Sequence, residues 1–174
     1  MPAGSSGEIL RLRAQALRRK PAAIEQDGES LLVLVFRLAE EQYGLETVHV
    51  REVVPLRSLV PVPCTPPFVL GLINLRGQIL SVVDLRSVFG ILAGPIEENN
   101  PVIVVHHGGI EFGLLAESVT GLRSLLIGTL QAELPTLGGV GAEFLRGVTA
   151  EGLILLDGLK LIGSAHLLVQ EEVS

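Results

Sequence analysis

Short apolar runs separated by polar or glycine-containing turns recur along the chain from residue 31 onwards. Leu31 to Leu38 is nearly continuous apolar sequence rich in Val and Leu, which is typical of a strand buried on both faces. A polar turn then leads to a second strand over Gln42 to Glu46, and Thr47 to Arg51 suits one helical turn. The spacing of these runs predicts a protein built from short strands.

Phe68 to Leu85 is the stretch around which we expect the fold to be organised. Two apolar runs of strand length flank Arg76 and Gly77, and a glycine there allows the positive φ of a tight turn. The pattern predicts a β-hairpin with Arg76 at its tip. A guanidinium at the rim of an apolar sheet can bind a carboxylate or a carbonyl, although a solvated turn arginine fits the same position.

Asp84 follows the hairpin and is placed to cap a short helix from Leu85 to Phe89, which Gly90 would close. The same carboxylate could serve acid–base chemistry, but we identify no partner group with which it would exchange protons. Before the hairpin, five prolines from Pro55 to Pro67 exclude a helix, because each lacks an amide hydrogen and restricts the residue before it.

The second half of the chain repeats the pattern of the first. Tyr43 to Leu45 has an echo in Phe112 to Leu114. Phe68 to Gly71 has another in Phe144 to Gly147, although the second hairpin is shorter and lacks a counterpart of Arg76. Two copies of about 70 residues, each with about five short strands, predict paired small β-barrels or strongly curled sheets. Each copy alone would be marginally stable, so we expect them to pack together through strand exchange or a shared aliphatic core.

The histidines do not form a recognisable catalytic or metal centre in the sequence. His106 and His107 lie at the tip of a predicted strand from Val102 to Val105, beside a Gly-Gly turn, and no third ligand has the spacing of a metal site. His49 and His166 are expected to lie apart from that pair, without a serine or cysteine partner. We therefore expect no metal.

Cys64 is the only cysteine, which excludes an internal disulfide. It lies between Pro63 and the Thr65-Pro66-Pro67 run, where it either fills a loop position or acts as a nucleophile. Neither G-x-G-x-x-G nor G-x-x-x-x-G-K-[ST] occurs, so no phosphate-binding loop is indicated and no cofactor is expected.

Composition favours a folded aliphatic domain, since 48% of the residues are hydrophobic, 18% are charged and only 3% are aromatic. The formal net charge is −6. Residues 1–30 carry five basic and four acidic residues, so the remainder, with eight basic and fifteen acidic residues, has a net charge of −7. An acidic body argues against nucleic acid as the main partner. The longest unbroken apolar run, Leu31 to Phe36, is too short to span a bilayer, and we expect a cytoplasmic protein.

The two termini differ in character from the body of the chain. Residues 7–20 suit a short basic helix with three apolar residues on one face, ended by Pro21. A mobile tail and a helix that docks on an acidic partner are both consistent with this segment. Residues 22–30 are typical of a linker, Asp157 to Gln170 has the spacing of another helix, and residues 171–174 form an acidic tail.

Several motifs resemble those of the CheW-like coupling proteins of bacterial chemotaxis. The most specific is the run from Gly71 to Gly77 followed by Val82 to Arg86. Supporting matches are Phe36 to Leu38, Tyr43 to Leu45, Val50 to Val54 and Pro63 to Pro67. The resemblance covers about residues 31–170, which defines the predicted domain, with halves of roughly 31–95 and 96–170.

The resemblance implies an all-β fold with short helices, in which two five-stranded SH3-like β-barrels are related by a pseudo-twofold axis. It also implies the absence of catalytic activity. Members of the family couple the cytoplasmic tips of methyl-accepting chemoreceptors to the regulatory domain of a CheA-type histidine kinase. They act as scaffolds in a two-component signalling array at the inner face of the membrane.

Residue by residue, the resemblance implies a partner-binding surface around the hairpin. Glu52 and Arg76 match an acid and a hairpin arginine that are thought to hold this surface in shape. Gly71 matches a glycine that permits close approach, and Val50 matches an exposed apolar contact on the receptor side. The predicted partner-binding set is Val50, Glu52, Gly71, Asn74, Arg76 and Gly77. The candidates for a kinase-facing surface are Tyr43, Val48 and Leu56.

Three features depart from the family pattern. Ser81 stands where a proline is usual, Cys64 stands where a small glycine or asparagine is common, and residues 1–30 have no counterpart. These departures leave the fold unchanged and bear on the identity of the partners.

Two functions follow as hypotheses. The first is a non-enzymatic adaptor that docks a kinase regulatory domain through one barrel and a receptor hairpin near a groove beside Arg76. The alternative is a small-molecule-binding β-barrel domain or regulatory subunit, which would need an enclosed pocket with convergent polar groups. For that alternative the sequence offers only the isolated side chains of Asp84, His106 and Cys64.

Overall fold

Ten β-strands and two α-helical segments form over residues 29–92, 94–131 and 143–164, which are the residues that the computed structural model describes. The strands are β1 (Ser30–Leu38), β2 (Glu41–Glu46), β3 (Val50–Pro55), β4 (Val69–Leu75), β5 (Gln78–Val83), β6 (Pro101–His107), β7 (Ile110–Leu115), β8 (Ser118–Leu126), β9 (Leu145–Val148) and β10 (Ile154–Leu156). Helix α1 is Leu85–Phe89, and residues 158–164 form α2. The predicted N-terminal helix, the acidic tail and the end of the predicted C-terminal helix lie outside the described residues.

The strands form two five-stranded sheets, which confirms the all-β prediction. Sheet A has the strand order β8-β1-β2-β10-β9, and sheet B has the order β3-β6-β7-β5-β4. Each sheet combines the first two strands of one repeat with the last three strands of the other. Strands are therefore exchanged across residue 95, and the same arrangement is built twice.

The pairing register shows how closely the two sheets correspond. Val35 pairs with Gly44 in sheet A, and Val104 pairs with Gly113 in sheet B. Along the chain, each residue of the second pair follows its counterpart in the first by the spacing of the predicted repeat. The parallel contact also repeats, between β2 and β10 in one sheet and between β7 and β5 in the other. Position 113 needs a glycine because a Cβ atom there would lie 2.5 Å from Cγ1 of Val102.

The two faces of β1 and β6 pack into different cores. Leu34 and Phe36 of β1 belong to a large cluster shared by both sheets, and the equivalent residues of β6 belong to it too. Val33 and Val35 lie in a cluster within sheet A, while the equivalent pair of β6 lies in a cluster within sheet B. Both strands are thus buried on both faces, as predicted for residues 31–38, and each fully buried aliphatic side chain contributes about 1.5–3 kcal/mol.

Tyr43 lies at the centre of the shared core. Its ring stacks on Phe36 at a centroid distance of 6.0 Å and on Phe89 of α1 at 5.6 Å. Burial raises the pKa of the Tyr43 hydroxyl to about 12. Because α1 follows a strand of sheet B but packs on Tyr43 of sheet A, it joins the two sheets.

Local predictions around α1 are confirmed. A side-chain oxygen of Asp84 accepts a hydrogen bond from the backbone N–H of Arg86 at 3.0 Å, which is an N-cap contact. Gly90 ends the helix with a φ of 68°, in the left-handed region that glycine adopts readily. The corresponding aspartate of the second repeat, Asp157, accepts a hydrogen bond from the N–H of Lys160 at 3.2 Å.

Candidate functional site

Arg76 and Glu52 form an ion pair between the tip of the β4–β5 hairpin and strand β3. Arg76 and Gly77 have φ values of 52° and 84°, so the two-residue turn has the positive φ values of a type I′ hairpin. The turn is supported by a hydrogen bond of 2.8 Å from the N–H of Gly77 to Oδ1 of Asn74. The resemblance implied this ion pair, and the structure brings its two members together.

The ion pair lies at the surface, and its two side chains differ in exposure. The side chain of Arg76 is 66% exposed, whereas that of Glu52 is 27% exposed. The hydrogen bond to Glu52, assisted by its negative charge, raises the pKa of Arg76. Glu52 therefore holds the guanidinium in place while leaving much of it open to a partner.

A β-bulge in β3 determines what this surface presents. The register with β6 shifts between Val50 and Glu52, which leaves Arg51 unpaired in the strand ladder. Arg51 extends to Glu111 of β7 and forms a second ion pair there. Val50, one of the predicted contacts, is partly exposed next to this pair.

Two exposed apolar side chains on this side of the molecule were not predicted from the sequence. Ile79 pairs with Asn74 across the hairpin, and its side chain is 58% exposed. Val60 is also exposed, and it forms a bridge with Leu72 of β4. The adjacent residues give no signal of this exposure, because Ile79 is followed by Leu80 in an apolar run that predicts burial. Apolar surface beside a fixed charge is typical of protein interaction sites.

Gly71 does not lie on the contact surface, and this part of the prediction is corrected. The residue is buried, and a Cβ atom there would lie 2.8 Å from the carbonyl carbon of Val60 and nearer still to its oxygen. The backbones of Val60 and Leu72 exchange hydrogen bonds of 2.8 and 2.9 Å at this point. The close approach that Gly71 permits is therefore made by the chain itself, and it shapes the surface from within.

Two of the three candidates for a kinase-facing surface are buried, so their assignment to a surface is wrong. Tyr43 has no exposed area because it fills the shared core, and Leu56 packs in the cluster within sheet B. Val48 is 64% exposed in the turn between β2 and β3. Leu159 of α2, which was not predicted, is also exposed.

His49 contacts His107, although the two residues were predicted to lie apart. Their ring centroids are 5.7 Å apart in an edge-on arrangement, and His49 is buried. Burial is the main cause that lowers the pKa of His49. The nearby His107 and His106 lower it further, whereas the negative charges of Glu46 and Asp157 partly raise it. Among the described residues, no group of three or more potential ligands could hold a metal ion.

An open groove of about 290 Å³ lies beside the segment that follows β3. Its lining residues are Leu56, Ser58, Leu59, Ile96, Glu97 and Glu98. The groove contains neither a histidine nor a cysteine among these described residues, and it has two adjacent carboxylates rather than convergent acid and base groups. Cys64 is exposed in the loop between β3 and β4, with a φ of 62°, and among the described residues it belongs to no group of three or more potential metal ligands.

Comparisons with known proteins agree on one family. A family model described as a CheW-like domain matches residues 32–166. The chemotaxis protein CheW of Klebsiella aerogenes is 31% identical over 144 residues, which cover 81% of this chain and 87% of that protein. Protein FrzA of Myxococcus xanthus is 32% identical over 137 residues, which cover 75% of this chain and 84% of that protein.

A solved structure supports the same relationship. The crystal structure of the scaffolding protein TtCheW from Thermoanaerobacter tengcongensis matches with a TM-score of 0.64 and 32% sequence identity. The match covers 74% of this chain and 89% of that chain.

Within the described residues, every helix is too short or too polar to be a candidate membrane span.

Proposed function

Because this chain belongs to the CheW-like family, we propose that it is a non-enzymatic adaptor that couples chemoreceptors to a CheA-type histidine kinase. The output is chemotaxis or a related signalling process. The observation that carries the proposal is the Glu52–Arg76 ion pair, which holds a charged group beside exposed apolar side chains at one end of sheet B. Such a surface suits recognition of another protein.

The receptor side of the adaptor is assigned to the surface around the hairpin. Arg76 supplies orientation because its planar donors bind carboxylates and carbonyls with defined geometry. Val50, on the same strand as Glu52, and Ile79, which pairs with Asn74 in the hairpin, supply apolar area. The cytoplasmic tip of a methyl-accepting receptor would dock here, and this contact would recruit the protein to arrays at the inner face of the membrane.

The kinase side is assigned to the surface that carries Val48. His49 lies beside Val48 in sequence, and its ring occupies the space that a Cβ atom on Gly158 would need, with Cγ at 2.9 Å. Leu159 follows Gly158, so Val48 and Leu159 flank one contact between the β2–β3 turn and α2. Both side chains are exposed and apolar, which is the character expected at the centre of an interface.

The mechanism requires only binding. An adaptor that holds two partners at once fixes their spacing and raises their effective concentration. If bound receptor changes the affinity of the adaptor for the kinase by some factor, bound kinase changes the affinity for the receptor by the same factor, as linkage requires. No bond is made or broken by the adaptor in this scheme.

Substitution of Arg76 by alanine tests the proposal. The purified variant is expected to lose capture of a receptor fragment and to retain capture of a kinase regulatory domain, because the two surfaces are separate. Arg123→Ala is the matched control, since Arg123 also pairs with a hairpin residue, Glu151, but in sheet A. If Arg76→Ala captured both partners as well as the unmodified protein does, the assignment of the receptor surface would be wrong.

A further inference from the structure

The chain crosses between the two sheets at two equivalent junctions. The first is the turn from β2 to β3, and the second is the short link from β7 to β8. The equivalence of the two repeats holds across each junction. Val50 pairs with Val105 after the first junction. After the second, Val119 pairs with Phe36, and these two residues are the counterparts of Val50 and Val105. Val48 in the first junction is therefore the structural counterpart of Glu117 in the second.

Glu117 connects the two sheets through one carboxylate oxygen. Its Oε2 atom accepts a hydrogen bond of 2.6 Å from the N–H of Ala39, in the β1–β2 turn of sheet A. The same atom accepts a hydrogen bond of 3.3 Å from Nη1 of Arg86, in the helix that follows sheet B. The backbone N–H of Glu117 also donates to the carbonyl oxygen of Arg37 in β1, at 3.0 Å.

Arg86 is held rigidly for this contact. Its side chain is buried, and its Nε and Nη2 atoms donate to the two oxygens of Asp84 at 3.0 and 3.2 Å. The hydrogen bond to Asp84 is the main cause that raises the pKa of Arg86, so the guanidinium stays charged. A buried, bidentate guanidinium has little freedom to turn away from Glu117.

The contact with Glu117 also anchors the β1–β2 turn at Ala39. Ala39 has a φ of 55°, in the left-handed region that residues other than glycine rarely adopt. Its counterpart in the β6–β7 turn is Gly108, which has the same φ of 55° and adopts it without penalty. The β1–β2 turn, which contains Ala39, is anchored by Glu117. At the β6–β7 turn, which contains Gly108, the position equivalent to Glu117 is occupied by Val48.

The junctions therefore differ in chemistry although their backbones correspond. Arg86, two residues after Asp84, corresponds to Leu159, two residues after Asp157. One junction has the charged set Asp84, Arg86 and Glu117, and the other has the apolar residues Val48 and Leu159 and the contacting rings of His49 and His107. An ionic connection between the sheets is present at only one of these two junctions in the described residues.

We propose that Glu117 is a positioning residue that clamps sheet A to sheet B through Ala39 and Arg86. The clamp fixes the angle between the sheets from one side, so that surfaces on the two sheets are held at a constant separation. The junction at Val48 has no ionic contact of this kind within the described part of the chain, and there the ring of His49 packs against Gly158 and His107.

Spin labels on the two sheets test the clamp in the protein alone, so the result does not depend on the proposed function. With Cys64→Ser as the background, labels at Ser124→Cys on β8 and Gln78→Cys on β5 report the distance between sheets A and B; both positions are exposed. The distance distribution is expected to be narrow in the parent and broader in Glu117→Ala. Glu151→Ala, which removes an exposed ion pair within sheet A, is the control that should leave it unchanged.

Two further variants separate the clamp from a simple effect on the turn. Ala39→Gly combined with Glu117→Ala relieves the backbone conformation of the turn but leaves Arg86 without its partner, so the distribution should stay broad. Glu117→Gln keeps an acceptor for the Ala39 N–H and removes the charge, so amide exchange at Ala39 should stay near the parent rate. In Glu117→Ala that exchange should rise at least tenfold. An unchanged distance distribution in Glu117→Ala, or full recovery by Ala39→Gly, would overturn the proposal.

Discussion

Arg76 at the tip of the β4–β5 hairpin is bound by Glu52 on β3, and the equivalent hairpin of sheet A has the same connection with the charges reversed. There Arg123 on β8 pairs with Glu151 in the turn between β9 and β10. Each sheet thus has one ion pair between the same two elements, at different positions of the repeat and with opposite polarity. The two hairpin tips carry opposite charges, which lets partners distinguish them.

Exchanging the charges of the Glu52–Arg76 pair tests what that pair contributes to binding. Each single variant, Glu52→Arg or Arg76→Glu, should lose receptor capture because it places like charges together and removes the held guanidinium. The double variant should restore the pair but present a carboxylate at the tip, so receptor capture should remain low. Full capture by the double variant in a pull-down would show that only the shape of the surface matters. Stability should change by about 1 kcal/mol or less in the alanine variants, because exposed ion pairs contribute little.

Gly71→Ala is expected to destabilise the protein by about 2–4 kcal/mol. A methyl group there would meet backbone atoms of Val60 that cannot move without breaking their hydrogen bonds to Leu72. Gly77→Ala is the matched comparison, since no atom lies within 4 Å of a Cβ at that position and only its positive φ opposes the change. Gly77→Ala should cost about 1 kcal/mol. Urea unfolding measures both, and an equal or smaller loss for Gly71→Ala would contradict the argument.

Asp84→Ala is expected to cost about 3–5 kcal/mol, because it leaves the buried guanidinium of Arg86 without its main partner. Glu151→Ala, which removes the partner of Arg123 in a pair whose side chains are 66% and 37% exposed, should cost about 1 kcal/mol or less. Chemical denaturation of the two variants at pH 7 gives the comparison. Similar losses in both would mean that the buried pair does not stabilise the fold more than the exposed one.

His49 should make the stability depend on pH in the mildly acidic range. Burial lowers its pKa in the folded protein below the ordinary value of 6.5, so the unfolded chain binds a proton more readily. Its contribution to stability is therefore fully present above about pH 6.5 and is lost as the pH falls towards the folded pKa. The ionisable groups that influence the pKa of His49 are Glu46, His107, His106 and Asp157.

The measurement for His49 is the unfolding free energy at several values of pH between about 5 and 8. His49→Gln should flatten the dependence in this range. His106→Gln should change the dependence less, because His106 is exposed and is only one of the smaller influences on the pKa of His49. If the unfolding free energy depended as steeply on pH in His49→Gln as in the parent, the dependence would arise from other groups.

The family and the fold class followed from short motifs, and both were confirmed. The Gly71 to Arg86 run has a local physical meaning, since its glycine allows the turn and its aspartate caps the helix. The predicted surface was less complete. Tyr43 and Leu56 were assigned to it by resemblance, and both are buried because neighbouring strands and α1 cover them.

Exposure of individual side chains was harder to predict because it depends on distant segments. Ile79 and Leu159 belong to apolar runs that predict burial, yet their neighbours in space leave them exposed. His49 contacts His107 only because β3 pairs with β6. Neither relationship has a signal in the residues adjacent in sequence.

The sequence by itself determined the strands, the β4–β5 hairpin, the helix capped by Asp84 and the duplication, since each depends on the alternation of side chains or on the conformations open to a few neighbouring residues. Tertiary structure alone decided which strands share a sheet, which aromatic rings form the core and which oxygen of Glu117 joins Ala39 to Arg86. The reason is that two repeats with the same pattern can pair within themselves or with each other using similar local contacts. The choice between these pairings rests on the core that both sheets bury together.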